Sequence, residues 1–135
     1  MAQLNAYVRF NGNCKEAFEF YQSCFGGDLK VQTVGESPMA AQWSPDTHNR
    51  VLHAELKSGT LTLLGSDMIG TDAPVVGNVI SLCLVCSSKE EIEAYFKNLS
   101  TGANVTNDLR SEFFGTYGDL VDKFGLSWML QFGMS

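Results

Sequence analysis

His53 is the residue of this chain best suited to moving a proton. It stands in RVLHAELKSG, Arg50 to Gly59, a segment whose alternation reads as a β-strand. On such a strand Leu52, Ala54 and Leu56 share one face, while Val51, His53 and Glu55 share the other. The first set is apolar enough to pack under a helix, which turns His53 and Glu55 toward a cleft, ~7 Å apart along the strand. A carboxylate beside an imidazole tunes it near neutral pH for proton transfer, so His53 as general base and Glu55 as its partner are the candidate catalytic residues. The alternative is a strand histidine satisfied by a hydrogen bond.

Other side chains are suited to holding a ligand. Trp43 and His48 lie in the irregular stretch AAQWSPDTHNR. Trp43 is either a lid over a flat or apolar ligand or the anchor of an exposed loop. Arg9, between Val8 and Phe10, projects opposite to both; it either meets an anionic ligand or pairs with an acid on the cleft rim. Asp67, after a strand, is a cleft-edge carboxylate or a turn residue. Trp128 alternates with Leu130 and Phe132 in LSWMLQF and reads as core. Cys14 and Cys24 stand at the two ends of one helix. Cys83 and Cys86 have metal-ligand spacing but lie on a strand, where residues three apart face opposite ways and cannot grip one ion. All four read as reduced core cysteines.

The elements that must position these residues come as a repeat. Tyr7 to Gly27, YVRFNGNCKEAFEFYQSCFGG, resembles Leu82 to Gly102, LCLVCSSKEEIEAYFKNLSTG. Each runs from a strand through a polar cap into an amphipathic helix and then Gly. Asn13 with Glu16, and Ser88 with Glu91, fit the capping box. Ala17, Phe20, Tyr21 and Cys24 fall at helical spacing, as do Ile92, Tyr95, Phe96 and Leu99. Aligning Asn13 on Ser88 also aligns the aromatic pairs and Gly27 with Gly102. Strands follow each helix: Leu29–Val34, Arg50–Gly59 and Thr60–Ser66 in the first half, Asn104–Leu109, a segment through Tyr117 and Leu126–Phe132 in the second. The order is β-α-β-β-β twice, in modules of about 1–68 and 76–135 with a linker at 69–75. Setting Gly59 against Gly125 places His53 against Asp119 and Val51 against Tyr117, so Tyr117 and Asp119 face the same cleft from the other module.

Composition sets the outer limits. The chain has 135 residues, 44% hydrophobic and 18% charged, enough for one domain with a real core. Nine Lys and Arg against 15 Asp and Glu give a net charge of −6, which excludes nucleic acid as a main partner. No apolar run approaches the ~18–20 residues of a membrane span, and the N-terminus lacks a signal-peptide layout. A cytoplasmic location is the expectation.

The FNGNC…FY…FGG opening, HAEL in the third strand and YGDLVDKFGLSWML near the end together resemble the PhnB-like branch of the glyoxalase/bleomycin-resistance/dioxygenase (vicinal oxygen chelate) superfamily. The likeness spans nearly the whole chain. It implies an α+β fold in which tandem βαβββ modules form a curved mixed sheet around a cleft, and a homodimer. In metal-dependent relatives, four His or Glu ligands project from the first and last strands of each module. Those positions fall here on Asn5 or Ala6, Val79 or Ile80, Leu63 or Leu64, and Met129 or Leu130, none of which is a His or a carboxylate. A divalent ion needs oxygen or imidazole donors, so a resident metal is disfavoured and no cofactor is expected. Relatives have also been described as resembling 3-demethylubiquinone methyltransferase, yet no Gly-rich loop for S-adenosylmethionine follows the first strand.

Two functions remain open. One is a binding protein of the bleomycin-resistance kind, its cleft lined by Trp43, Tyr117 and Met129, with Arg9, Asp67 and Asp119 as polar contacts. The other is a lyase, isomerase or dioxygenase-type enzyme acting on a small carbonyl or oxygenated substrate through His53.

Overall fold

The computed structural model describes residues 1–70 and 73–133, so residues 71 and 72 of the expected linker lie outside the described residues. The elements are β1 (Ala6–Phe10), α1 (Cys14–Phe25), β2 (Asp28–Thr33), β3 (Val51–Ser58), β4 (Leu61–Asp67), β5 (Leu82–Cys86), α2 (Lys89–Leu99), β6 (Asn104–Glu112), β7 (Gly115–Val121) and β8 (Ser127–Phe132). Two single-turn 3-10 helices, Ala40–Gln42 and Pro45–Thr47, break the segment between β2 and β3. The doubled βαβββ order is the one expected from the sequence. The chain forms two compact units, Met1–Val75 and Val76–Ser135.

In the first unit the strand order is β1-β4-β3-β2. The β1–β4 pair is parallel and the other two are antiparallel, so the sheet is mixed. α1 packs on β2, β3 and β4. It buries Cys14, Ala17, Phe18, Tyr21, Cys24 and Phe25. Phe20, expected in that stripe, is only half-buried. Phe18 takes its place because the strand beneath leaves room. A Cβ on Gly65 would lie 2.6 Å from the Phe18 ring and 2.8 Å from the Val8 carbonyl oxygen. Both distances are far inside van der Waals contact, so only the absence of a side chain at Gly65 lets the Phe18 ring come this close to the sheet.

The second unit repeats the design with order β5-β8-β7-β6. α2 packs on β5 and β8 and buries Ile92, Phe96 and Leu99, with Tyr95 half-buried. Here the ring of Phe96 lies over Gly118, where a Cβ would be 2.9 Å away. β6 runs to Glu112, three residues beyond the expected end at Leu109, because its pairing with β7 continues to Glu112 opposite Gly115.

The two helix starts differ. Ser88 caps α2 as expected: its Oγ accepts from Glu91 N at 3.0 Å, while Glu91 Oε1 accepts from Ser87 N at 2.9 Å. Asn13 makes no side-chain cap. Its work is done by Asp67 at the end of β4, whose Oδ1 accepts from Gly12 N (2.8 Å) and Cys14 N (3.0 Å). Asp67 Oδ2 accepts from Val51 N at 2.8 Å, tying the helix start to β3. A second buried aspartate organises the other unit. Asp122 Oδ1 accepts from Phe124 N and Leu126 N, and its Oδ2 from Trp128 Nε1 at 2.8 Å. Trp128 is core, as its alternation implied.

Cys14, Cys24 and Cys86 are buried and free; Cys83 is free and exposed, which corrects its reading as a core residue. β5 turns Cys83 to the sheet face opposite α2, and Cys86 to the helix side. Burial, with the Asp67 charge adding, pushes the Cys14 thiol up to about 12, and burial pushes Cys86 up to about 11.

Candidate functional site

Each sheet covers one face with its helix and leaves the other open. On the first sheet, register decides which side chains share that open face. Tyr7 stands opposite Leu64, Leu64 opposite Glu55, and Glu55 opposite Lys30. One row on, Arg9 stands opposite Ser66 and His53 opposite Gln32. Because Ala54 pairs with Gly65 in an antiparallel ladder, Ser66 is the neighbour of His53, and the row reads Arg9, Ser66, His53, Gln32 across four strands. With strands ~4.8 Å apart, Arg9 and His53 are ~10 Å apart at Cα, within joint reach of one small molecule.

Within this row the groups are open to solvent. Arg9, His53 and Gln32 are exposed, and Ser66 is half-buried. None of the four side chains has a hydrogen-bonding or ion-pairing partner among the described residues. The Arg9 guanidinium lies over the Tyr7 ring, 5.3 Å from its centre. Glu55 is turned to its own strand neighbour, with Oε1 3.5 Å from Lys57 Nζ. The carboxylate expected to partner His53 is therefore engaged elsewhere, since a cation two residues on shares its face.

On the second sheet the open face carries Tyr117, Asp119 and Met129, brought together by register: Met129 is opposite Cys83 and Asp119, and Tyr117 is opposite Arg110 and Gln131. These polar groups satisfy one another. The Tyr117 hydroxyl accepts from both Arg110 Nε (2.9 Å) and Nη2, and Phe114 stacks on the Tyr117 ring. Arg110 also meets Glu112 at 3.7 Å. Asp119 accepts from Asn107 Nδ2 at 3.0 Å on each oxygen and from Thr106 Oγ1.

Register also corrects the alignment of the modules. β1 and β5 show the same burial pattern from Ala6 and Leu82. The row through Val8, Gly65 and Ala54 then corresponds to Leu84, Leu130 and Gly118. His53 thus corresponds to Tyr117 and Glu55 to Asp119; the loop before Gly125 is longer than the one at Gly59, which displaces an alignment made on those glycines.

Asp67 is not a cleft-edge carboxylate. It is 4% exposed and both oxygens are taken by backbone amides. Trp43 is 37% exposed on its loop. That loop is shaped by His48, whose Nε2–H donates to the carbonyls of Ala40 (2.8 Å) and Trp43 (3.2 Å). Sequence reasoning missed Ser66, Gln32 and Tyr7 as site residues, although period-2 alternation from His53 and Arg9 assigns Gln32 and Tyr7 a face once the strand pairing is known.

A superfamily metal does not fit these residues. Leu64 and Met129 face the open side, Leu63 and Leu130 are buried, and Val79 and Ile80 lie before β5, exposed. No group of three or more His, Cys, Asp or Glu that could hold a metal ion occurs among the described residues. Nor does the β1–α1 turn offer amides for a nucleoside cofactor, since those of Gly12 and Cys14 are held by Asp67.

A family model described as 3-demethylubiquinone-9 3-methyltransferase matches residues 2–131. The chain is 30% identical to protein YjdN of Escherichia coli K12, over 94% of this chain and 92% of that one. Among solved structures, protein PA1353 of Pseudomonas aeruginosa superposes with a TM-score of 0.87 at 31% identity, covering 100% of both chains. A PhnB protein of Bacillus cereus gives a TM-score of 0.76 at 23% identity, over 97% of this chain and 99% of that one. Matched over nearly its whole length, the chain belongs to the family described as 3-demethylubiquinone-9 3-methyltransferase, and its paired βαβββ fold is that of the Bacillus cereus PhnB protein and of a glyoxalase/bleomycin resistance protein/dioxygenase domain from Frankia (TM-score 0.67, 13% identity, 100% of this chain and 94% of that one).

Proposed function

We propose that this protein binds a small molecule on the open face of its βαβββ sheets without a resident metal, and that the two modules act as one glyoxalase-like domain. The observation that carries the reading is the Arg9–Ser66–His53–Gln32 row, four polar side chains on one face with no partner among the described residues. The apolar residues at the superfamily's ligand positions support the metal-free part. Trp43, exposed on a loop of the first unit, is proposed as a lid within that unit, and Tyr117, Asp119 and Met129 as ligand contacts on the open face of the second sheet. A cytoplasmic homodimer is part of the proposal; the exposed apolar Val75, Val79 and Ile80 suit the self-association, and light scattering reads its mass directly.

The test is elemental analysis of untagged protein purified without chelators, followed by a thermal-shift screen of small polar metabolites. The expected result is no stoichiometric transition metal, with hits whose shifts shrink in Trp43→Ala and His53→Ala. Stoichiometric metal bound to the purified protein would refute the metal-free reading. Hits that convert to product, with turnover lost in His53→Ala and binding kept, would replace a binding protein by an enzyme using His53 as general base.

A further inference from the structure

We propose that the open face of the first sheet recognises the oxyanion of a small carboxylate- or phosphate-bearing molecule, with Arg9 and His53 as the charged contacts. This rests on the small-molecule reading above and narrows its ligand class. The chain as a whole carries a net charge of −6, yet this face runs the other way. It presents Arg9, Lys30, Lys57 and His53 against Glu55 and Asp28, the carboxylates lying in the rows with Lys57 and Lys30 rather than with Arg9.

Arg9 is the centre of the argument. Its guanidinium is exposed, has no carboxylate within ion-pairing distance among the described residues, and is held over Tyr7. An arginine so placed keeps its five donors free while part of its rotamer freedom is already lost, which suits bidentate capture of a carboxylate or phosphate. Ser66 and Gln32 supply neutral donors beside it, and His53 a ring N–H donor. Alongside, Tyr7 and Leu64 offer an apolar step for an aromatic or aliphatic tail. The corresponding row of the second module holds Val85, Gln131, Tyr117 and Arg110, with Arg110 bonded to Tyr117 and Glu112. Of two duplicated faces, one has closed its charges on itself and the other has left them open.

The probes are phenyl phosphate and benzoate, with benzyl alcohol as the neutral control, titrated by calorimetry and by the imidazole resonances of His48 and His53. Phenyl phosphate and benzoate are expected to bind and to move His53 but not His48. Arg9→Gln should weaken both by about tenfold or more, Arg110→Gln should leave them unchanged, and the alcohol should be insensitive to either. Both variants sit on exposed positions, and an unchanged Tm confirms their fold. Anion binding that survives Arg9→Gln overturns the proposal. Alcohol binding without anion binding also overturns it, while leaving the small-molecule reading intact. Phenyl phosphate and benzoate that give no heat and leave His53 unmoved also overturn the proposal, and the metabolite screen then decides the small-molecule reading by itself.

Discussion

Replacing Asp67 by Ala should destabilise the protein by about 3–5 kcal/mol, because Asp67 is a structural carboxylate. Its oxygens accept from Gly12 N, Cys14 N and Val51 N. A buried donor left without an acceptor costs ~1–3 kcal/mol. Gly12 is exposed, so water replaces its bond and that loss is small. Cys14 and Val51 are 0% and 1% exposed, and their amides have nowhere else to go. Two such losses, together with a helix start deprived of its cap, give the figure above. Against a typical stability of ~5–15 kcal/mol this is a large fraction. With a urea m value near ~2 kcal/mol/M the midpoint falls by about 1.5–2.5 M. Asp67→Asn keeps one accepting oxygen but turns an NH2 toward an N–H, so it should lose about half as much. Urea unfolding followed by circular dichroism reads both. An Asp67→Ala protein within 1 kcal/mol of wild type, or one that keeps its stability and loses ligand binding, would refute the reasoning and restore Asp67 to the cleft.

Asp122→Ala should destabilise comparably, because the amides of Phe124 and Leu126 and the Trp128 indole N–H lose their acceptor; urea unfolding followed by circular dichroism measures it. In native protein at pH 8, a thiol reagent should label Cys83 rapidly and the other three cysteines only on unfolding, as mass mapping of the adduct would show. Cys14 and Cys86 have folded-state values of about 12 and about 11 against an ordinary 9.0. The unfolded chain therefore releases those protons first, and the stability they contribute is full below pH 9 and lost as pH rises through 11 to 12, by up to ~1.4 kcal/mol per pH unit for each thiol. Cys14→Ser and Cys86→Ser should flatten that alkaline slope in a series of urea titrations. Gly65→Ala should cost about 1–3 kcal/mol, since the new methyl meets both the Phe18 ring and the Val8 carbonyl oxygen; calorimetric melting would measure it.

Much of this molecule follows from local chemistry in the chain. Helical spacing from Ala17 to Cys24 and from Ile92 to Leu99, the Ser88 cap, and strands alternating around His53 and Trp128 are written in neighbouring residues, because each depends on periods of 3.6 and 2. Asp122 was not singled out from the sequence, although the turn it opens is closed by Gly125. The lack of metal donors at the superfamily positions is likewise a matter of residue identity. Tertiary structure alone decided the rest. Asp67 could not be told from a surface carboxylate until β4 delivered it to amides 53 and 55 residues away in the chain. Phe18 displaced Phe20 because of a glycine on a strand, and Asn13 lost its capping role to a carboxylate from the same strand. The open row of Arg9, Ser66, His53 and Gln32 draws on four strands, and only their hydrogen-bonded register sets those side chains side by side.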